Sequence, residues 1–291
     1  MKKRITNADR AEVLVQAMPY IRRYYKKTVV IKYGGNAMIN EDLKHQVMED
    51  IALLSYIGIR VVLVHGGGPE ISSLMNRLGK QAEFIDGLRV TDKETVDIAQ
   101  MVLAGKINKS LVNLLDHYGG SAIGLSGIDG NMIQAEFKDE RLGYVGNITM
   151  VNARPIIDIL EKDYIPVIAT LGCDEEGNTY NINGDTAAAY IAGALQAERL
   201  LMMTDVPGIL RDKDDLSTLI PKISVEEAKQ LREDGIIAGG MIPKVECCIE
   251  AIRSGVKNVV IMDGRIPHSI LMELLTDEGA GTMVTGEIDN E

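Results

Sequence analysis

The stretch VVLVHGGGPEIS, Val61–Ser72, decides how this sequence is read. A run of buried-type residues ends in three consecutive glycines, and a helical pattern begins at once. Inside a regular element each glycine costs about 0.5–1 kcal/mol relative to alanine, so Gly66, Gly67 and Gly68 need a reason. Without Cβ atoms they let backbone N–H groups come close to a ligand at the carboxyl end of a strand. That end of a parallel sheet is where ligands bind, and a helix N-terminus favours anions. The signal is weak alone: it is not G-x-G-x-x-G and lacks the lysine of a P-loop. A tight strand-to-helix turn is the plain alternative.

The same kind of run recurs along the chain. TVVIKY (28–33), RVVLVH (60–65), SAIGLS (121–126), IPVIAT (165–170), RLLMMT (199–204) and NVVIMD (258–263) read as strands. They are nearly continuous in apolar residues, the mark of strands covered on both faces. Helical patterns lie between them at about 41–57, 69–78, 92–117, 153–163, 185–197, 225–234 and 241–254. Strand–helix alternation predicts an α/β fold, a three-layer sandwich with a mostly parallel central sheet. Residues 129–150 break the rhythm and read as a hairpin over one end of the sheet. A boundary near Gln196–Arg199 divides residues 26–197 from 198–291 into two lobes, with nothing linker-like between them, so both share one sheet. Residues 1–25 stand apart as an amphipathic helix that Pro19 is expected to kink or break. That helix either folds on its own domain or docks on another subunit.

Bulk properties narrow the function. The chain has 291 residues, 46% hydrophobic and 25% charged, enough for a large core. A net charge of −11 argues against a general nucleic-acid or membrane-surface binder. An anionic substrate therefore needs positive charge concentrated locally. Cys173, Cys247 and Cys248 show no zinc spacing and read as buried reduced thiols of a cytoplasmic protein. No apolar h-region follows MKKRITNADR, so no signal peptide is expected, and no run of about 18 apolar residues predicts a membrane span.

Further pieces resemble the first. VVIKYGGNAM places Lys32, Gly34 and Gly35 at another strand tip, where Lys32 either snorkels to solvent or meets an anion. In AGGMIPKVECC, Pro243 suits the first turn of a helix, and Lys244 sits where the helix dipole disfavours a cation. Lys244 is then either a solvated surface lysine or a phosphate ligand. In TYNINGDTAAAY, Asn181 precedes an Asn-Gly turn, and Asp185 is placed to cap the next helix. In DGLRVTDKET, Asp92 is expected to cap a helix, and Arg89 is either a fork for a carboxylate or a surface arginine.

Taken in order, the motifs K-Y-G-G (32–35), V-H-G-G-G (64–68), G-L-R-V-T (87–91), N-I-N-G-D (181–185), T-D-V-P-G (204–208) and G-G-M-I-P-K (239–244) resemble the amino acid kinase family over residues 28–286. G-L-R-V-T points to the branch acting on N-acetyl-L-glutamate. The resemblance implies transfer of the ATP γ-phosphoryl group to the side-chain carboxylate of that acceptor, in arginine biosynthesis. It implies that Lys32 and Lys244 reach the phosphoryl group from opposite lobes, with Asp185 orienting both. Gly67 and Gly68 would hold the acceptor, Arg89 and Asn181 its α-carboxylate. Gly34 and Gly35 would line the phosphates, and Thr204 and Asp205 the nucleotide, so that residues 26–197 bind the amino acid and 198–291 the nucleotide. Mg²⁺ would arrive with ATP, with no protein metal site. The N-terminal helix resembles that of arginine-inhibited hexameric members, a trimer of dimers, with Tyr20 and His268 near the effector arginine. A PII-type signalling partner stays open. The rivals are a kinase for an aminoadipate derivative or carbamate, a nicotinamide dehydrogenase, and a non-catalytic arginine sensor.

Overall fold

A computed structural model describes residues 6–38 and 40–286. Of the expected N-terminal helical segment, residues 1–5 lie outside the described residues. Eight strands form one sheet, in the order β12 (Lys222–Ser224), β14 (Gly281–Thr285), β13 (Asn258–Asp263), β11 (Arg199–Thr204), β1 (Thr28–Tyr33), β2 (Arg60–His65), β8 (Ile165–Ala169) and β5 (Ala122–Ser126). All pairs are parallel except β13 with β14. The six expected strands are there, and the predicted three-layer sandwich is the observed fold.

Pleating sends alternate side chains to opposite faces, and β1 shows it directly. Val30 joins one core, whereas Val29 and Ile31 join the other. On the first face lie α6 (Arg154–Leu160), α7 (Gly184–Ala194), α8 (Val225–Glu233) and α9 (Met241–Arg253). On the second lie α2 (Glu41–Tyr56), α3 (Gly68–Arg77), α4 (Lys93–Gln100), α5 (Asn108–His117) and α10 (Ser269–Leu275). A π-helical segment, Met101–Ile107, joins α4 to α5, so the expected 92–117 helix is continuous but locally widened.

The irregular region forms a second sheet. β6 (Ile133–Phe137) and β7 (Gly146–Val151) pair as an antiparallel hairpin, continued by β9 (Leu171–Cys173) and β10 (Thr179–Asn181). A two-stranded pair, β3 (Phe84–Ile85) and β4 (Leu88–Arg89), completes the strands among the described residues. α1 (Asn7–Tyr24) runs through Pro19 without the expected break. Its end is anchored by buried Tyr24, whereas Val13, Leu14, Val15 and Met18 are exposed. Among the described residues no helix is long and apolar enough to cross a membrane. All three cysteines are free, but Cys247 is half-buried rather than buried, because its stretch of α9 borders a cleft.

Candidate active site

The central strand β1 lies between β2 and β11, and Lys32 pairs in register with Val64 on one side and Met202 on the other. The lysine therefore stands between two strand tips, one carrying Gly66–Gly68 and the other Thr204 and Asp205. Its ammonium does not snorkel to solvent. Nζ lies 2.9 Å from Asp185 Oδ1. A Cβ on Gly34 would sit 3.1 Å from Lys32 Nζ, close enough to crowd the ammonium. Gly35 takes φ +68°, a conformation that side chains rarely adopt.

Lys244, at the start of α9, reaches the other oxygen, with Nζ 2.8 Å from Asp185 Oδ2. One carboxylate thus spans two ammonium groups brought in by β1 and α9. Burial pushes the Asp185 carboxyl up, but the two lysines outweigh it and hold it well below the usual carboxylate range. They also explain how Lys244 tolerates a helix N-terminus: its counter-charge comes from the start of α7. Asp185 is not the cap of that helix, as its position suggested. Asn183 is the cap, with Oδ1 accepting from the Asp185 N–H at 3.0 Å and the Thr186 N–H at 3.1 Å. That leaves the Asp185 carboxylate to the lysines. Sequence reasoning missed Asn183, although asparagine directly before Gly-Asp is a recognisable cap signal.

The glycine turn after β2 borders a cavity of about 160 Å³, with Gly66, Gly67, Gly68, Arg89, Asn181 and Asn183 in its wall. A Cβ on Gly67 would come within 2.2 Å of Ile107 Cδ1 and 2.8 Å of Leu103 Cδ2, so the π segment packs directly on this glycine. Gly66 has open space where a Cβ would go. Arg89 is buried, and its Nη2 donates to the Gly68 carbonyl at 2.8 Å and to Ser72 Oγ at 2.9 Å. Phe84 stacks 4.8 Å from its guanidinium carbon. The arginine therefore braces the glycine turn as well as facing the cavity. Asp92 caps α4 as expected, accepting from the Thr95 N–H at 2.8 Å.

A second cleft of about 850 Å³ shares Asn183 in its wall and adds Asp185, Gly239, Gly240, Lys244 and Cys247. Burial pushes the Cys247 thiol up to about 11, which makes it a poor nucleophile. At the β11 tip, Thr204 is buried and its Oγ1 accepts from the Val206 N–H at 2.9 Å, while Asp205 is exposed. Tyr20 and His268 lie away from these cavities, at opposite ends of α10. Tyr20 donates to Asp277, and His268 Nδ1 lies 2.7 Å from Asp50 Oδ1. Among the described residues no group of three or more His, Cys, Asp or Glu could hold a metal ion.

Two strand tips lined by glycine, a lysine at each side of one carboxylate, and a cavity beside them are an arrangement suited to phosphoryl transfer on an α/β sandwich. The chain belongs to the amino acid kinase family, whose sequence model matches residues 27–263. It is 54% identical over 281 residues to acetylglutamate kinase of Brachyspira hyodysenteriae, covering 96% of this chain and 98% of that one. Among solved structures it is similar to N-acetylglutamate synthase of Neisseria gonorrhoeae complexed with coenzyme A and N-acetyl-glutamate: 29% identity, TM-score 0.84 and 95% of this chain. The chain spans only 63% of that synthase's length. The same synthase complexed with coenzyme A and L-arginine matches with TM-score 0.80 and 27% identity, over 95% of this chain and 65% of that one.

Proposed function

We propose that this chain transfers the γ-phosphoryl group of ATP to the side-chain carboxylate of N-acetyl-L-glutamate, giving the acyl phosphate used in arginine biosynthesis. The observation that carries the reading is the convergence of Lys32 and Lys244 on Asp185, 2.9 and 2.8 Å away. An acceptor that is already a carboxylate needs no general base. The difficulty is to bring one anion against another, so positioning and charge stabilisation do the catalysis. In this reading Asp185 keeps the two ammonium groups aimed until phosphate oxygens compete for them. Gly67 and Gly68 present N–H groups to the acceptor, and Arg89 and Asn181 take its α-carboxylate across the small cavity. Gly34 and Gly35 line the phosphates, with Thr204 and Asp205 at the nucleotide. Mg²⁺ brought in with ATP would be held mainly by phosphate oxygens and would neutralise part of their charge. The enzyme works in the cytoplasm.

Arginine acts as effector and the chain as a homo-oligomer in the same proposal. The exposed apolar residues of α1, from Val13 to Met18, offer a face for a second copy, and Tyr20 ties that helix to Asp277 beyond α10. Deletion of residues 1–25 is expected to abolish arginine inhibition and spare turnover; inhibition that persists discards the regulatory part alone.

The test of the activity is hydroxylamine trapping of acyl phosphate with ATP, magnesium and N-acetylglutamate. Product from this acceptor, and far less from an aminoadipate derivative or carbamate, is expected. Preference for either alternative acceptor, or no product from any, overturns the reading.

A further inference from the structure

His65 ends β2, directly before the three glycines, and is fully buried. A buried histidine between a strand and a ligand-facing turn needs an account, and its contacts supply one. Its Nδ1 lies 2.9 Å from the carbonyl oxygen of Gly66, and its Nε2 lies 3.1 Å from Asn108 Nδ2. A carbonyl can only accept, so Nδ1 carries the proton and Nε2 is left to accept from the asparagine amide. The asparagine cannot be turned the other way round. Its Nδ2 also faces the carbonyls of Leu125 at 3.0 Å and Val167 at 2.8 Å, while its Oδ1 accepts from Lys109 Nζ at 3.1 Å. The tautomer of His65 is thereby fixed by the Gly66 carbonyl on one side and, through Asn108, by two strand carbonyls and one ammonium on the other.

The consequence lies in the peptide that follows. In a trans peptide the C=O and N–H point in opposite directions. With the Gly66 carbonyl drawn toward the buried imidazole, the N–H of Gly67 faces away from it, and Gly66, Gly67 and Gly68 all border the small cavity. Two further features are built for this arrangement. The π segment places Ile107 on Gly67 and, one residue later, Asn108 on His65. Gly124, on the edge strand β5, leaves the space Asn108 uses, since a Cβ there would lie 2.0 Å from Asn108 Oδ1. Burial also pushes the imidazole down to about 4, so it stays neutral at physiological pH and never adds a second donor against the amide.

We propose that His65 is a positioning residue for the acceptor: held in one tautomer by Asn108, it ties back the Gly66 carbonyl and turns the Gly67 N–H into the acceptor cavity. This rests on the acceptor assignment of that cavity given above. The first test uses the wild-type protein with ¹⁵N-labelled histidine. Two-bond ¹H–¹⁵N spectra are expected to show His65 neutral with the proton on Nδ1 from about pH 5.5 to about pH 8.5. A proton on Nε2, or an imidazolium in that range, overturns the proposal whether or not any variant folds. The second test compares His65→Leu, which loses both nitrogens, with His65→Asn, whose amide donor lies near the place of Nδ1. His65→Leu is expected to raise the KM for N-acetylglutamate about tenfold to a hundredfold, the worth of one hydrogen bond to a charged group. The KM for ATP should stay unchanged, and His65→Asn should regain most of the loss. Equal losses for both substrates, or His65→Asn no better than His65→Leu, overturn it. Failure of the wild type to phosphorylate N-acetylglutamate would count against the assigned substrate and leave the tautomer result standing.

Discussion

Two aspartates shielded from bulk water answer opposite needs in this molecule. Asp50 is buried and Asp185 is largely covered at the edge of the large cleft, and burial alone pushes both carboxyls up. Asp185 meets two ammonium groups and is driven well below the ordinary range. Asp50, on α2, has one partner, His268, and its carboxyl is raised to about 6. The Asp50 Oδ2 atom finds no hydrogen-bond partner among the described residues. The fold therefore does not set the ionisation of a buried carboxylate by depth. It sets it by how many cations it brings within reach. Asp185 stays charged at neutral pH, and that charge holds the two ammonium groups 2.9 and 2.8 Å from it. Asp50 sits near the point where a small change in surroundings changes its state.

The strongest way to break the comparison is to remove one cation from Asp185. Lys244→Ala is expected to lower kcat by about 10²–10³, the cost of losing one preorganised stabiliser of transition-state charge. Lys32 stays paired with Asp185, so binding of N-acetylglutamate should change little. Acyl-phosphate trapping measures it. A variant of normal rate shows that the lysine pair only neutralises a buried carboxylate and takes no part in transfer.

The two aspartates also predict opposite pH slopes of stability. Asp185 has a folded pKa below its unfolded value, so its stabilisation is fully present above about pH 4. It is lost as pH falls through the folded pKa. Asp50 ionises near 3.8 unfolded and near 6 folded, so the native state holds the proton longer. Its contribution therefore falls as pH rises through that window, by up to about 3 kcal/mol. Chemical denaturation of Asp50→Asn against wild type, at a series of pH values, isolates it. The variant is expected to gain on the wild type as pH rises from about 4 to about 6. A flat difference shows that His268 compensates the carboxylate fully.

The sequence exposes this chemistry unevenly, for physical reasons. Strands covered on both faces appear as unbroken apolar runs, so β1, β2, β11 and β13 match their expected bounds residue for residue. β12 is only three residues long, and β14 begins half-buried at Gly281 and has half-buried Met283 between buried Thr282 and Val284, so neither has such a run. The helix α10 starts after His268 in a left-handed conformation with no side-chain cap, which removes the usual start signal. The π segment carries no composition cue, and yet it decides why Gly67 is glycine. For the site, each residue type was visible but the pairing was not. Lys32, Asp185 and Lys244 are far apart in the chain and meet only because β1 lies centrally in the sheet and α7 packs beside α9. Motif order brought them together before geometry did, whereas the local reading of the Asn-Gly turn assigned the cap of α7 to the wrong residue.

That misassigned cap yields the smallest expected effect and the finest test of the comparison. Two things hold Asp185 in place: the helix start, fixed by Asn183, and the lysines. A lost asparagine cap typically costs about 1 kcal/mol of stability. If charge pairing sets the position of the carboxylate, Asn183→Ala should lose about that much in denaturation experiments and only a few-fold in kcat. The lysines would hold the oxygens even as the first turn of α7 frays. If the cap is what aims Asp185, kcat should fall nearly as far as in Lys244→Ala while stability changes no more than before. The ratio of the two losses, measured on one variant, separates a carboxylate positioned by its backbone from one positioned by its counter-ions.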